Sequence, residues 1–271
     1  MQLESEKLAL RLRKQVLSMV FKAKASHIGS CYSIIDILAI LYEEIMNYSS
    51  DNPTLPNRDR FILSKGHAAA AVYAVLAEKG FISHSLLDEY GMNGSLLMTH
   101  VNHKIPGVEF STGSLGHGMG FGVGKAMTAK MQGQDWRTFV VMSDGELDEG
   151  SNWEAFMFAA HHKLDNLVAI VDYNKLQSLT TTQKTLGLEP LIDKFLAFGW
   201  CVKEVNGHSH IALKDALSDI PPKTESPTLI LAHTIKGKGV SFMENKVEWH
   251  YKSPDVNFYE KALQELEALD A

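Results

Sequence analysis

A chain of 271 residues, 45% hydrophobic and 21% charged, is long enough for one large α/β domain with a substantial core. Its net charge of −6 gives no overall electrostatic attraction to nucleic acid or to an anionic membrane, so an anionic ligand would need a local site. Neither a signal peptide nor an apolar run of about 18 residues is visible, and we expect a cytoplasmic protein without a membrane span.

The first part of the chain predicts amphipathic helices and one strand. Leu8, Leu12 and Val16 recur at helical spacing, and Ser33 is a candidate N-cap for the second helix. The predicted elements are helices over 3–24 and 33–46, a polar loop over 51–59, a strand over 60–64 and a helix over 68–79.

A segment with several glycines and little periodicity (91–113) predicts a long loop, and such loops are commonly functional. After it, helices alternate with continuously apolar strands, which is typical of a doubly wound, mainly parallel sheet flanked by helices. We therefore expect a single α/β domain over 1–271. Its further elements are a helix over 115–132, strand 137–143, helix 151–164, strand 167–173, helix 189–197, strand 200–205, helix 210–218, a connection over 221–227, strand 228–233 and a C-terminal helix near 256–269.

Polar residues follow two successive predicted strands. Asp144 comes directly after the strand 137–143, and Asn174 directly after the strand 167–173. Because ligands bind at the carboxyl ends of parallel strands, we expect both side chains in one crevice. A carboxylate, an amide oxygen and a backbone carbonyl suit Mg²⁺, or Ca²⁺ or Mn²⁺, with phosphate and water as further ligands. The local chemistry predicts a metal that bridges a phosphorylated ligand.

Simpler interpretations use the same residues. Asp144 would cap the helix 151–164, and Asn174 would only end its strand. A Mg²⁺ phosphohydrolase built on the acidic turn is another interpretation, but no nucleophile is evident. Spacing alone leaves these alternatives open.

Longer motifs resemble a known family. "SDGELDEG" (143–150), followed one βα unit later by the asparagine of "VDYNKLQ", is similar to the thiamine-diphosphate motif. Further stretches agree in order and spacing with the transketolases, most closely with the N-terminal half-subunits of split transketolases. This resemblance covers nearly the whole chain and implies a thiamine-diphosphate-binding fold. The stretches are "ASHIGS" (25–30), "LSKGHAA" (63–69), "PGVEFSTGSLGHG" (106–118), "TIKGKG" (234–239) and "WHYKSP" (249–254).

The resemblance implies a role for each matching residue. Asp144, Asn174 and the carbonyl of Leu176 would bind a divalent metal on the diphosphate of thiamine diphosphate. Gly145 would allow close backbone approach, and Glu149 would join a carboxylate network at a subunit interface. The other implied cofactor contacts are Gly113 and Leu115, which border the aminopyrimidine ring, with His67 and His250.

Four histidines would take part in catalysis. The resemblance implies that His67 and His250 lie beside the diphosphate or the reactive carbon, and that His27 lies near the first carbons of the substrate. His100 and His103 compete for the remaining substrate position, and we select His100.

Other residues carry weaker expectations. Lys236 and Lys238 would either neutralise phosphate or be solvated loop lysines, and Glu146 and Asp148 are expected to be solvated or to order their loop. The departures from the family pattern are Ser143 for the first glycine of GDG, His117 for a frequent glutamine, and Tyr251 for the glycine that commonly follows the histidine; His161 and His162 are expected to be structural.

In the family, a two-carbon ketol unit passes from a ketose phosphate to an aldose phosphate, and the cofactor carries the chemistry. The glutamate that activates the cofactor belongs to a second, pyrimidine-binding domain, and no second copy of the motif is visible here. The resemblance therefore implies a heterotetramer with a second copy of this chain and with C-terminal partner subunits. Alternatives are the α subunit of a 2-oxoacid dehydrogenase, a deoxyxylulose-phosphate synthase, which normally carries all domains on one chain, and a non-catalytic cofactor-binding remnant.

Overall fold

The structure is a computed structural model that describes residues 3–221 and 224–269. Within these residues, five parallel strands form one sheet in the order β1-β2-β3-β5-β4, which confirms the predicted parallel α/β fold. The strands are β1 (Arg60–Leu63), β2 (Thr138–Ser143), β3 (Leu167–Tyr173), β4 (Cys201–Asn206) and β5 (Thr228–His233).

Helices cover both faces of the sheet and follow the predicted order. They are α1 (Glu4–Ala23), α2 (Ile28–Tyr32), α3 (Ile35–Ile40), α4 (Ala69–Glu78), α5 (Gly118–Met131), α6 (Gly150–His161), α7 (Thr182–Thr185), α8 (Leu191–Phe198), α9 (His210–Ser218) and α10 (Val256–Ala268). Across the described ranges, no helix is both long enough and apolar enough to cross a membrane.

Alternation along the strands builds a separate hydrophobic core on each face. Phe139 and Val141 of β2 pack in a cluster with residues of α1, α4 and α10, whereas Val140 and Met142 pack with residues of α5, α6 and α8. Successive side chains of a strand point to opposite faces, so a continuously apolar strand needs cover on both sides. This double cover leaves the carboxyl ends of the strands as the edge where polar residues gather.

The helix predicted over 33–46 forms over 35–45, as α3 and one π-helical turn, but the prediction that Ser33 caps it is wrong. The chain forms α2, then α3, then one π-helical turn over Leu41–Ile45. Ser33 lies at the end of α2, and its hydroxyl donates to the carbonyl of Ser30 (3.1 Å) and to Asp172 (2.6 Å). The hydroxyl binds a distant carboxylate and does not cap a helix, which local sequence does not reveal.

The other loop predictions agree with the structure. The segment 91–113 contains no helix or strand, as predicted for a long loop. The predicted connection 221–227 also contains none in its described part; its residues 222 and 223 lie outside the described residues.

Candidate active site

Two adjacent strands place Asp144 and Asn174 at the same edge of the sheet. Ser143 at the end of β2 pairs with Asp172 of β3, so the residues that follow these strands are neighbours. Asp144 accepts hydrogen bonds from the N–H groups of Gly145 (2.7 Å) and Lys175 (2.5 Å). Asp144 is the N-cap residue of a short 3-10 turn over Gly145–Asp148. It does not cap α6, because that helix begins at Gly150 and its N-cap residue makes no side-chain bond.

The predicted site residues, with one exception, line one cavity of about 250 Å³ at this edge. Glu149 is the exception, because it is exposed and lies outside the cavity lining. The predicted residues in the lining are His27, His67, His100, Gly113, Leu115, Asp144, Gly145, Asn174, Leu176 and His250.

The oxygen atoms around Asp144 are suitable ligands for a cation. Burial, with the nearby Asp172 carboxylate, raises the pKa of Asp144 to about 7, so a bound cation would stabilise its ionised form. No group of three or more His, Cys, Asp or Glu side chains arranged for a metal exists among the described residues. A cation would therefore use one carboxylate, the neutral oxygens of Asn174 and Leu176, and oxygens of its ligand, as Mg²⁺ commonly does.

Four imidazoles surround the cavity. The ring of His27 lies 5.1 Å from His67, 5.9 Å from His100 and 5.0 Å from His250. Burial lowers the pKa of His27 to about 4 and that of His250 to about 3, and it also lowers the pKa of His67 and His100. The four rings are therefore mainly uncharged at pH 7.

His27, which lines the cavity, has a strained backbone conformation. Its φ of 76° lies in the left-handed region, which is costly for a residue with a Cβ. The N–H of His27 donates to the carbonyl of His250 (2.7 Å), and its Nδ1 has no hydrogen-bond partner. The contact between the two backbones holds the imidazoles of His27 and His250 together.

Other histidines lie away from this group. His103, the competitor of His100, is exposed and its Nδ1 lies 2.7 Å from the hydroxyl of Ser111. His117 is exposed at the start of α5, and His161 and His162 are exposed at the end of α6. The structure therefore selects His100 over His103 for the cavity.

Lys236 is not a solvated loop lysine. It is 2% exposed, and its ammonium donates to the carbonyls of Leu176 (3.1 Å) and Gln177 (3.0 Å). It also lies 3.0 Å from Nδ1 of His250. Because an ammonium only donates, His250 carries its proton on Nε2. Burial lowers the pKa of Lys236 to about 8, and the amine adds a positive charge to the cavity wall near neutral pH. Lys238 instead pairs with Glu244 (3.2 Å).

A buried ion pair at the cavity wall, to which Lys65 contributes, was missed by sequence reasoning. Lys65, 1% exposed, lies 2.5 Å from the fully buried carboxylate of Asp172. Burial alone would raise the pKa of the Asp172 carboxyl. The charge of Lys65 and the hydrogen bonds that the carboxylate accepts lower this pKa below its usual value. A charged residue inside the apolar strand "LVAIVDY" was the available signal, because such a charge needs a partner.

Glu146 orders the loop and is not solvated. It is fully buried, and its carboxylate accepts hydrogen bonds from the hydroxyl of Ser64 (2.5 Å) and the N–H of Gly116 (2.9 Å). The carboxylate thus joins the end of β1, the turn after β2 and the turn before α5. Of the two expectations for Glu146, loop ordering is confirmed and solvation is wrong. Asp148 is half-buried and accepts from Gln177 (2.8 Å).

A glycine beside His67 permits close packing under the cavity. A Cβ on Gly66 would lie 2.3 Å from the carbonyl oxygen of Thr112. Gly66→Ala is therefore expected to lower the free energy of unfolding by about 1–3 kcal/mol, measured in urea. Gly124→Ala is the control, because nothing lies within 4 Å of a Cβ there and helix propensity predicts a gain of about 0.5–1 kcal/mol. Equal effects of the two changes would contradict the steric argument.

The chain is similar to known proteins in sequence and in structure. The family model described as "Transketolase, thiamine diphosphate binding domain" matches residues 5–258. One subunit of the apulose-4-phosphate transketolase of Phocaeicola vulgatus is 45% identical over 98% of this chain and 93% of its own. The 6-deoxy-6-sulfo-D-fructose transketolase subunit SqwG of Clostridium sp. is 40% identical over 94% of each chain. The crystal structure of transketolase from Campylobacter jejuni superposes with a TM-score of 0.93 at 31% identity, covering 98% of this chain and 43% of that one.

Proposed function

Because this chain belongs to the transketolase family, whose thiamine diphosphate binding domain it matches over residues 5–258, we propose that it is the diphosphate-binding subunit of a transketolase. The family predicted from the motifs is confirmed. The proposed reaction moves a two-carbon ketol unit from a ketose phosphate to an aldose phosphate, and we assign residues 1–271 to one domain.

One observation carries this proposal: Asp144, Asn174, the Leu176 carbonyl and four imidazoles line the same cavity. Asp144, Asn174 and Leu176 would hold Mg²⁺, or Ca²⁺ or Mn²⁺, on the cofactor diphosphate. Gly145, beside Asp144, would allow the diphosphate to approach the backbone.

Further cofactor contacts are proposed along the walls. Gly113 and Leu115 would border the aminopyrimidine, and Lys236 would contribute positive charge. Glu149 is exposed, which suits its proposed place in a carboxylate network with another subunit.

The uncharged imidazoles are placed to hydrogen-bond a substrate in the cavity. Thiamine diphosphate supplies a nucleophilic carbon when it is bound. Neutral His27 and His100 would bind substrate hydroxyls and accept protons from them, and His67 and His250 would act beside the diphosphate and the reacting carbon. General acid–base groups of this kind contribute about 10²–10⁴-fold in rate.

A partner subunit is part of the proposal. The chain spans about two fifths of the length of the solved transketolases it matches, but nearly all of relatives that are named as subunits. This supports a partner that carries the pyrimidine-binding half, together with a second copy of this chain. A heterotetramer and a cytoplasmic location stay predictions. The names of the matched relatives give no support to the 2-oxoacid dehydrogenase alternative.

Ketol transfer is expected to need both halves. The purified chain should bind thiamine diphosphate with Mg²⁺ but show at least about 100-fold less transfer than the reconstituted pair, because groups that act on the cofactor would be missing. The assay uses several ketose donors, including apulose 4-phosphate and 6-deoxy-6-sulfo-D-fructose, which occur in the names of two relatives.

The matched control is the pair assembled with the Asp144→Ala chain, which should be inactive. Full transfer by the purified chain alone would contradict the need for a partner. Decarboxylation of a 2-oxoacid by the pair, without ketol transfer, would overturn the proposed reaction.

A further inference from the structure

Another buried carboxylate lies outside the cavity, on α3. Asp36 is 5% exposed and accepts two hydrogen bonds from the guanidinium of Arg13, at 3.0 and 2.6 Å. Nδ1 of His208 lies 2.7 Å from one of its oxygens, and Nε2 of His210 lies 3.1 Å from the other. A carboxylate with this many donors is a rigid anchor for the groups that bind it.

The hydrogen bonds of His208 show which of its ring nitrogens carries the proton. The backbone N–H of Ile235 donates to Nε2 of His208 (2.7 Å). Because an N–H group cannot accept, Nε2 must be the unprotonated nitrogen, and the ring proton lies on Nδ1 and is donated to Asp36. Asp36, His208 and the backbone of Ile235 therefore form one continuous chain of hydrogen bonds.

This chain of hydrogen bonds ends at Ile235, next to Lys236. Both residues belong to the segment 234–239, whose backbone is held from two sides. On the cavity side, the hydroxyl of Thr234 donates to Asp172, and the N–H of Gly237 donates to the carbonyl of Gly29 (3.0 Å). On the Asp36 side, the segment is held by His208 and by a hydrogen bond from Arg13 to the carbonyl of Lys238 (3.0 Å).

We propose that Asp36 and His208 are positioning residues that hold the backbone at 234–239, so that the Lys236 ammonium faces the cavity. A lysine has a long, flexible side chain, and the position of its charge depends on where its backbone is held. The inference rests on the proposed function in one respect, since Lys236 would act on the cofactor diphosphate.

Two conservative changes separate the two hydrogen bonds of His208. In His208→Asn, the amide nitrogen replaces Nδ1 and still donates to Asp36, but no acceptor reaches the N–H of Ile235. In His208→Gln, the amide oxygen replaces Nε2 as the acceptor for Ile235. His210→Asn is the control, because it removes a donor to Asp36 without touching the segment 234–239.

The first measurement uses the cofactor-free chain. Amide hydrogen exchange over 233–240 is expected to be about tenfold faster in His208→Asn, the factor for one lost hydrogen bond. It should stay within about twofold of the wild type in His208→Gln and in His210→Asn. Equal exchange in the two His208 variants would overturn the anchor.

The second measurement is the affinity for thiamine diphosphate at constant Mg²⁺. His208→Asn should weaken binding about tenfold and Lys236→Met by at least as much, and the double variant should be no weaker than Lys236→Met, because both changes remove one interaction. If the losses of affinity in the two single variants add up in the double variant, His208 does not act through Lys236. If the wild-type chain does not bind thiamine diphosphate, the proposed function is wrong. The hydrogen-exchange result then decides by itself whether His208 holds the segment 234–239.

A measurement on the wild type covers the case in which His208→Asn does not fold. Long-range ¹H–¹⁵N NMR should show His208 with its proton on Nδ1. A proton on Nε2 would overturn the proposal.

Discussion

Replacing Asp144 by alanine is expected to weaken Mg²⁺-dependent binding of thiamine diphosphate by about a thousandfold. Asp144 is 1% exposed and is the carboxylate among the proposed metal ligands. A charge pair is worth about 4 kcal/mol at 4 Å with an effective dielectric constant of about 20, and each 1.4 kcal/mol is a factor of ten in affinity. Calorimetric titration of the chain at constant Mg²⁺ measures the loss, and circular dichroism confirms that the variant is folded.

Asp148→Asn is the matched control for this change. Asp148 lies in the same turn, and an amide oxygen can still accept its hydrogen bond from Gln177 (2.8 Å). Its affinity should stay within about threefold of the wild type, since Asp148 is not among the proposed ligands and the change keeps its hydrogen bond to Gln177. Unchanged binding by Asp144→Ala would refute the ligand assignment.

Replacing Lys65 by methionine is expected to lower the free energy of unfolding by about 3–5 kcal/mol, because it leaves Asp172 as an uncompensated buried charge. The side chains of Lys65 and Asp172 are 1% and 0% exposed, so water cannot replace the lost partner. For a chain of this size the melting temperature falls by about 2–4 °C per kcal/mol. Urea and thermal unfolding of the cofactor-free chain measure the effect.

Two further variants test the origin of that loss. Lys22→Met breaks an ion pair whose side chains are 51% and 68% exposed, and it should cost less than about 1 kcal/mol. The double variant Lys65→Met/Asp172→Asn should recover part of the stability, because it removes the unpaired charge and keeps an acceptor for Ser33 and Thr234. If Lys65→Met and Lys22→Met cost the same, the burial argument is wrong.

Local pattern was enough to predict most of the fold. The strands "TFVVM", "LVAIV" and "TLILA" are apolar on both faces, and a parallel sheet covered by helices is the arrangement that buries them. Asp144 and Asn174 could be paired from sequence because successive strands of such a sheet end at the same edge. The motif resemblance added the histidines of the cavity, which no periodicity indicates.

Contacts between distant segments were not predictable. Glu146 was expected to be solvated or to order its loop, but its acceptor role depends on Ser64 and Gly116, which come from other elements. Ser33 was expected to cap a helix and instead donates to Asp172. In both residues a local and a distant partner compete, and only the packed fold decides between them.

The sequence by itself determined the parallel α/β architecture, the family, and the edge where Asp144 and Asn174 meet, because these follow from short-range patterns and matched motifs. The tertiary structure alone decided that Lys65 neutralises Asp172, that His100 and not His103 reaches the cavity, and that Lys236 is buried beside His250. Burial and charge pairing are properties of the packed molecule, since they depend on which segments exclude water from a given side chain.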